Sequence, residues 1–476
     1  MRQADQTLTS KRQRARSKKS RTGCRTCRAR HVKCDETPGA CKRCTNTGYT
    51  CEYDLQTLPR SGKSIAFEKA KGYKNPIPFA VVSGPNWATT SDERRCFLHF
   101  QYRTTPTLLG LFDSLLWQEI VLQMSHSEPA VYHAVVALSA VHQDTEMYGM
   151  PLPGQDPQNR WHQFALEQCG RSFSLLHRRS HDPRLREIML LCCILFVLVE
   201  LLRGQYDTAF KHLHSGLRIL KEVKADEKFN PFLLSAFTTL DMQSMQFGAG
   251  GLLSIGNTMA YQTNLADGLG IVHDLQEARQ NLTVLLSAVT DFLTRCGSLT
   301  QADIVAEYEA LHHMQLQHLS QLGQFDDCFE YFCSCHVFNS REHRGVSIIR
   351  LLNHSFSLAL KTCLLRDDSV LECYTPEYNM LLSLVEDVID HFEDRPSFTL
   401  DIGIIPALYF AAMWCVDYEI RCRAVEALQR WPHREGSFDS NWVAFIALER
   451  MKTESLTVHA ELALCEVHQA DYTWDN

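Results

Sequence analysis

Residues 23–54 read GCRTCRARHVKCDETPGACKRCTNTGYTCEYD, with six cysteines in the 28 positions from Cys24 to Cys51. The 425 residues that follow hold thirteen more cysteines. The six form two Cys-x-x-Cys pairs, each followed after six residues by a further cysteine: Cys24, Cys27 and Cys34, then Cys41, Cys44 and Cys51. The basic residues between them are Arg25, Arg28, Arg30, Lys33, Lys42 and Arg43. This pattern predicts a metal site with a positive surface, which favours nucleic acid as the partner.

A segment of about thirty residues with few apolar side chains cannot bury enough surface to fold by itself. Structural zinc contributes on the order of 10 kcal/mol or more to the folding of such modules. Six thiolates are too few for two separate tetrahedral zinc sites, but they suffice if two sulfurs bridge the ions. Six thiolates and two Zn²⁺ leave two negative charges, which the surrounding cations offset. We therefore predict two zinc ions per chain; the spacing matches no ferredoxin cluster.

A disulfide framework and a thiol-rich metal buffer are the two alternatives for these cysteines. A disulfide framework needs an oxidising compartment, yet the N-terminus is polar and basic and carries no secretory signal. A metal buffer would not need arginines at helical spacing between its ligands. The sequence therefore favours a binuclear zinc module over both.

Charge is distributed unevenly along the chain. Residues 1–60 contain fifteen Lys and Arg against five Asp and Glu, a net charge of +10. The remainder holds 33 basic and 50 acidic residues, a net charge of −17, so the formal total is −7. With 45% hydrophobic and 22% charged residues, the composition is that of an ordinary globular protein. A basic head on an acidic body predicts that the head alone meets a polyanion.

The sequence divides into four parts. Residues 1–20 lack apolar periodicity, which predicts a disordered basic arm. Two interpretations of this arm are equally favoured: a nuclear import signal or phosphate contact, and a plain solvated tail. Residues 21–55 are the predicted zinc module, and residues 56–90, broken by glycines and prolines, a linker. Residues 91–476 form the predicted helical domain. No heptad repeat follows Cys51, so no coiled-coil dimerisation segment is predicted.

The predicted fold class is mainly α, with a small zinc-cluster domain of two short helices and a large all-α helical domain. Strand-like alternation is scarce, and Ser127 resembles a helix N-cap before Pro129. The most apolar run, Ile188–Val199, is shorter than the roughly 20 residues that span a bilayer, so we predict a buried helix and no membrane contact. Apolar residues recur at helical spacing in four stretches: Phe164–Leu176, Ile188–Leu202, Phe210–Leu220 and Met380–Phe392.

Residues 23–54 resemble the fungal Zn2Cys6 binuclear-cluster domain of transcription factors. In that family the first and fourth cysteines bridge the two metal ions. The resemblance therefore implies that Cys24 and Cys41 are the bridges. The other implied ligands are Cys27 and Cys34 for one zinc, and Cys44 and Cys51 for the other.

The residues from Arg28 to Lys33 predict a short helix that zinc ligands pin at both ends. The resemblance implies that this helix enters the major groove of double-stranded DNA and reads a CGG-type triplet. Arg30 and His31 would then lie nearest the bases, with Arg28 and Lys33 facing phosphates. Arginine can donate two hydrogen bonds to guanine. Neutral imidazole offers one donor, so His31 either contacts a base or acts partly as a spacer.

Lys42 and Arg43 begin the second half of the cysteine pattern. We expect them to hold phosphate, which positions a protein on DNA without specifying its sequence. A single cluster reading one triplet does not define a unique address, so a homo- or heterodimer partner is physically attractive.

Residues 91–476 resemble the all-helical regulatory region found downstream of many fungal clusters, chiefly over residues 92–143 and 160–179. The resemblance implies control of activity through a small-molecule effector, a coactivator or another partner protein, or self-association. Cys333, Cys335 and His336 lack a second cysteine pair nearby, which favours ordinary thiols over a metal site.

We therefore predict a nuclear, zinc-dependent, sequence-specific DNA-binding regulator of transcription by RNA polymerase II that catalyses no reaction. The rival of another class is an enzyme with a nucleic-acid-binding appendage, which requires a pocket of converging titratable groups in residues 91–476. A metal-handling or scaffold protein would bind zinc without preferring any DNA sequence.

Overall fold

The computed structural model of this protein describes most of the chain and divides it into two compact units. Of the described residues, those up to Cys51 and Trp87–Arg95 belong to the first, and those from Cys96 to Glu454 to the second. The basic arm predicted over residues 1–20, and most of the linker predicted over 56–90, lie outside the described residues. The described residues are 24–35, 41–49, 51, 87–155, 159–179, 182, 184–222, 230–245 and 272–454.

The described chain is mainly α-helical, as predicted. Its helices in chain order are α1 (Arg25–Ala29), α2 (Lys42–Thr45), α3 (Ser91–His99), α4 (Thr105–Leu108), α5 (Val121–Ser127), α6 (Pro129–Tyr148), α7 (Arg160–His177), α8 (Leu185–Leu202), α9 (Tyr206–Lys221), α10 (Pro231–Met245), α11 (Leu275–Ser298), α12 (Gln301–Ala306), α13 (Tyr308–Cys335), α14 (Ser340–Thr362), α15 (Asp368–Leu371), α16 (Thr375–Asp390), α17 (Ile405–Trp414), α18 (Tyr418–Arg430) and α19 (440–454). Two π-helical segments, Phe100–Thr104 and Leu116–Ile120, and a 3-10 turn, Glu372–Tyr374, complete the helical elements.

The four apolar stretches predicted as helices are helical, in α7, α8, α9 and α16. The last extends two residues too far, because α16 ends at Asp390. The apolar run Ile188–Val199 is a core helix that packs against α6 and α9. Among the helices of the described residues, none combines the length and apolarity that crossing a membrane requires.

The predicted N-cap at Ser127 is wrong. Ser127 is the last residue of α5, and its hydroxyl donates back to the carbonyl of Gln123 at 3.4 Å. Helix α6 begins at Pro129, and its N-cap residue Glu128 makes no side-chain capping bond. Proline suits this first helical position because its φ is already fixed and its missing N–H would be unpaired there.

The C-terminal half of the second unit is built around α14. This helix packs against α11, α13, α16 and α17. Apolar residues such as Ile348, Leu351 and Leu358 are fully buried on it, and they share one core with Phe325 of α13. Of its 23 residues 14 are buried, in keeping with a helix that has neighbours on several sides.

A small three-stranded sheet interrupts the helices, and the sequence did not predict it. Strand β1 (Phe398–Thr399) pairs in parallel with β2 (Arg434–Glu435), which forms an antiparallel hairpin with β3 (Phe438–Asp439). Strands of two residues are too short to show an alternating pattern. The hairpin turns at Gly436, whose φ of 56° and contact with Gln243 leave no room for a side chain.

The sheet carries buried ionic groups that serve as helix and loop caps. The Glu435 carboxylate accepts hydrogen bonds from the backbone N–H groups of Gly403, Ile404 and Ile405 at 2.8–3.0 Å, at the start of α17. Arg434 pairs with Asp439 at 2.7 Å. These charges are buried yet fully engaged, so we interpret them as structural.

Candidate metal centre and nucleic-acid interface

The first half of the cysteine segment is organised around Cys24. Its Sγ accepts a hydrogen bond from the Cys27 N–H at 3.3 Å and caps the N-terminus of α1. The Cys24 N–H in turn points to the Cys34 Sγ at 3.5 Å. A thiol therefore takes the place that serine or aspartate usually fills at a helix N-cap, which draws three sulfurs toward one point.

The second half repeats these contacts seventeen positions later. The Cys41 Sγ accepts from the Cys44 N–H at 3.3 Å and caps α2, and the Cys41 N–H points to the Cys51 Sγ at 3.2 Å. The duplicated spacing in the sequence thus corresponds to a duplicated backbone structure.

The six sulfurs converge in one buried cluster. They form two sets of four in which all ligand atoms lie within 4.8 Å of one another. The sets share Cys24 and Cys41, the two residues that the family resemblance assigns as bridges. The first set is completed by Cys27 and Cys34, and the second by Cys44 and Cys51.

The sulfur separations fit zinc. A tetrahedron of zinc–sulfur bonds about 2.3 Å long places neighbouring sulfurs ~3.8 Å apart. The shared sulfurs of Cys24 and Cys41 are 3.8 Å apart. Cys27 lies 3.5 Å from Cys41 in the first set, and Cys44 lies 3.7 Å from Cys24 in the second. These thiols are not joined in disulfides, so all six remain available as metal ligands.

Burial controls the protonation of these thiols in the protein alone. It raises the pKa of Cys24 to about 11, and it also raises the pKa of Cys27 and of Cys51. Burial opposes ionisation of Cys41 too, but hydrogen bonds from Cys44 and other neighbours lower the Cys41 pKa to about 7. Zinc binds thiolates. The positive charge of the ions would therefore stabilise the ionised sulfurs, which burial alone disfavours.

The short helix predicted over Arg28–Lys33 is wrong in its bounds. Helix α1 covers Arg25–Ala29, because the Cys24 thiol caps it early and the chain turns at its end. His31 has a φ of 57°, and its N–H donates to the Arg28 carbonyl at 3.1 Å. The Val32 N–H donates to the Cys27 carbonyl at 3.0 Å. These two bonds form a Schellman motif with His31 in the left-handed region.

The same turn follows α2, with Gly48 in the position that corresponds to His31. Gly48 has a φ of 70°, and the Tyr49 N–H donates to the Cys44 carbonyl at 3.1 Å. Glycine adopts this conformation without steric cost, whereas a residue with a Cβ adopts it at a cost in free energy. The first half therefore holds an imidazole at a position where its fold alone would favour glycine.

All six residues predicted to contact DNA lie within the described part of the cluster. The exposed ones are His31, Lys33, Lys42 and Arg43, and the half-buried ones are Arg28 and Arg30. Arg30 reaches across to the second half. Its guanidinium carbon lies 3.9 Å from the ring centre of Tyr49, and its Nη1 donates to the Thr47 hydroxyl at 3.0 Å.

The sequence prediction missed three residues of this region. Asp35 accepts hydrogen bonds from the backbone N–H groups of Lys42 at 3.1 Å and Arg43 at 3.4 Å, and so holds the start of α2 against the first half. An acid shortly before a basic helix start was the available signal. For Thr47 and Tyr49 there was none, because their contacts with Arg30 depend on the two turns.

The second unit contains a cavity of about 470 Å³. Phe356, Tyr409, Phe410 and Trp414 contribute to its largely apolar wall. Among the described residues that line it, none is Asp, Glu or His. The titratable side chains on its wall are Cys363, Arg366, Tyr378 and Tyr409.

Cys333, Cys335 and His336 were predicted to be ordinary residues, not a metal site. They lie at the C-terminal end of α13 and just beyond it, and the His336 Nδ1 bonds the Phe332 carbonyl at 2.8 Å. Within the described ranges, no group of three or more metal-ligating side chains converges outside the six-cysteine cluster.

Two family comparisons cover both units. Residues 22–60 match the fungal Zn(2)-Cys(6) binuclear cluster domain. Residues 95–435, more than half of the chain, match the fungal specific transcription factor domain. No solved structure matches the chain significantly.

Curated relatives include three fungal regulators. The aspercryptin biosynthesis cluster-specific transcription regulator atnN of Emericella nidulans is 22% identical, over 92% of this chain and 87% of its own length. The transcription regulator lscL of Purpureocillium lilacinum is 27% identical, over 42% of this chain and 48% of its own. The Zn(2)-C6 fungal-type transcription factor afumD of Aspergillus fumigatus is 33% identical, over 26% of this chain and 33% of its own.

Proposed function

The chain belongs to the fungal specific transcription factors that carry a zinc-binding Zn(2)-Cys(6) cluster domain, and from this premise we propose that it binds DNA sequence-specifically to regulate genes transcribed by RNA polymerase II. It acts in the nucleus and catalyses no reaction. The observation that carries the proposal is the pair of overlapping four-sulfur sets, sharing Cys24 and Cys41, beside exposed basic residues of the same segment.

The proposed metal content is two zinc ions per chain. Cys24 and Cys41 bridge them, and each ion takes two further thiolates. The remaining ligands are Cys27 and Cys34 at the first ion, and Cys44 and Cys51 at the second. The two overlapping four-sulfur sets support this assignment, and sulfur separations of 3.5–3.8 Å match the edges of zinc–sulfur tetrahedra. The ions connect two halves whose helices, of five and four residues, are too short to be stable alone.

The proposed DNA contacts divide by role. Arg30 and His31, on the turn that ends α1, read base edges of a CGG-type triplet in the major groove. The phosphate contacts are Arg28, Lys33, Lys42 and Arg43. The exposure of the Lys42 and Arg43 side chains supports the phosphate role.

The helical unit regulates the activity of the cluster. A triplet is too short to specify a site in a genome, so binding as a homo- or heterodimer supplies the missing specificity. The large apolar core of this unit supports a role as a folded platform for partners or an effector.

Selection of preferred duplexes from a random pool, with and without a zinc chelator, tests this function. We expect the full-length protein to enrich CGG-type triplets only when zinc is bound. Cys44→Ala should abolish enrichment, whereas Cys335→Ala, at an exposed cysteine outside the cluster, should not. Equal enrichment of scrambled duplexes, or enrichment that survives complete removal of zinc, would contradict the proposal.

A further inference from the structure

Arg30 is the one predicted base-reading side chain that also bridges the two halves of the cluster in the described residues. It stands at the C-terminal end of α1. Its guanidinium carbon lies over the Tyr49 ring, 3.9 Å from the ring centre, and its Nη1 donates to Thr47 at 3.0 Å. Both partners follow α2, so the second half determines where a side chain of the first half points.

The direction of the Thr47 hydrogen bond is fixed by its other contacts. Its hydroxyl has one proton, which it donates to the Arg43 carbonyl at 2.5 Å. The oxygen is therefore an acceptor toward Arg30, whose guanidinium can only donate. Arg30 thus donates to the Thr47 hydroxyl, and this hydroxyl donates to the carbonyl of Arg43 in α2.

These contacts leave one edge of the guanidinium available. Of its five N–H groups, one on Nη1 is used by Thr47. The Nε and Nη2 edge forms no hydrogen bond with any residue that the structure describes. Two parallel N–H groups on one edge are what arginine presents to O6 and N7 of guanine. Tyr49 meanwhile shields one face of the group from water, although its own side chain is 55% exposed.

We propose that Tyr49 and Thr47 are positioning residues for sequence reading, which hold Arg30 with its free edge directed toward guanine. The inference rests on the proposed function, in which Arg30 reads a base. An arginine held in advance loses less conformational freedom when it meets its base, so the preferred duplex gains affinity over others. Phosphate contacts are independent of this arrangement, so affinity for scrambled DNA is not expected to depend on it.

The test compares full-length variants for binding to the selected duplex and to a scrambled duplex of equal length. Tyr49→Leu removes the aromatic face, and Thr47→Val removes the acceptor with little change in volume. Each should lower the ratio of the two affinities by roughly threefold to tenfold, the range expected for a cation–π contact or a single hydrogen bond. Affinity for scrambled DNA, its salt dependence and the zinc content should not change. Tyr49→Phe keeps the ring and should keep the ratio.

The outcomes separate this inference from the proposed function. If the unaltered protein shows no sequence preference, the proposed function and this inference both fail. If it discriminates and both Tyr49→Leu and Thr47→Val retain its full ratio, only the positioning role is wrong. A higher ratio in Tyr49→Leu would also contradict that role, since Tyr49 would then be competing with DNA for Arg30.

Discussion

His31 and Gly48 occupy equivalent positions in the two halves of the cluster, with φ values of 57° and 70°. Both close a Schellman motif through the same pair of backbone bonds. A side chain in the left-handed region costs on the order of 1 kcal/mol. We infer that the imidazole is kept for a contact that the fold itself does not need, and this makes His31 separable from folding.

Replacing His31 by glycine should therefore leave the zinc content unchanged and the unfolding free energy equal or about 1 kcal/mol higher. The same variant should lose discrimination between the selected triplet and its neighbours, because a base contact is removed without disturbing the turn. Zinc analysis, chemical denaturation and competition binding measure the three quantities. Unchanged discrimination would show that His31 is only a spacer.

Gly48→Ala is the matched control for that variant. A Cβ at Gly48 meets no atom within 4 Å, so its cost comes from the backbone conformation alone. We expect a loss of about 1 kcal/mol in stability with discrimination intact. A loss of discrimination here would mean that the turn, and not the side chain at its left-handed position, governs sequence reading.

Arg30 and Lys42 should differ in what they contribute to binding. Arg30→Ala should flatten the preference for the triplet, because it removes a base contact. Lys42→Ala should weaken binding to all duplexes alike and reduce the salt dependence of log K by about one unit, since one phosphate contact is lost. Titrations at several salt concentrations distinguish the two. Equal loss of specificity in both variants would refute the division of roles.

At the scale of elements, the sequence predicted long helices better than short elements. α8 and α9 carry apolar residues at helical spacing over most of their length, and such patterns are visible in the sequence. The bounds of α1 depend on a thiol cap and a left-handed turn, which the periodicity of five residues cannot show. The strands β1 to β3 are stabilised by pairing between distant residues and by buried caps. The local sequence pattern therefore did not predict them.

His142 connects α6 to two other segments of the chain through hydrogen bonds of its ring. Its ring is fully buried, and its nitrogens bond Thr104 in the first π-helical segment at 2.9 Å and Ser397, just before β1, at 3.1 Å. Burial lowers the His142 pKa to about 3, although the nearby Glu146 carboxylate opposes the shift. The imidazole is consequently neutral in the folded protein.

Because the folded pKa of His142 lies below the ordinary value of 6.5, its contribution to stability is present above that pH and is lost as the pH falls toward 3. From pH 6.5 to about 5 we expect a loss of about 2 kcal/mol that His142→Gln does not show. Urea denaturation of both proteins across this range measures the difference. Parallel pH profiles would contradict a neutral, buried His142.

At the scale of the whole molecule, the family and the sulfur cluster were predictable because the spacing of the six cysteines is a local feature of the sequence. It does not depend on how the rest of the chain folds. The charge contrast, +10 in residues 1–60 and −17 beyond, likewise led to the prediction that the first part meets DNA. The pairing of Arg30 with Tyr49 and Thr47 was not predictable, since it arises only when zinc-sized spacing brings the two halves together. The apolar cavity was equally hidden, because helices distant in sequence form its wall.

Counting zinc in the intact full-length protein by native mass spectrometry tests the central claim most directly. Two ions per chain are expected in the unaltered protein and in Cys335→Ala, and fewer than two in Cys24→Ala, which removes a ligand shared by both four-sulfur sets. One ion or none in the unaltered protein, or two ions retained without Cys24, would contradict the bridged arrangement.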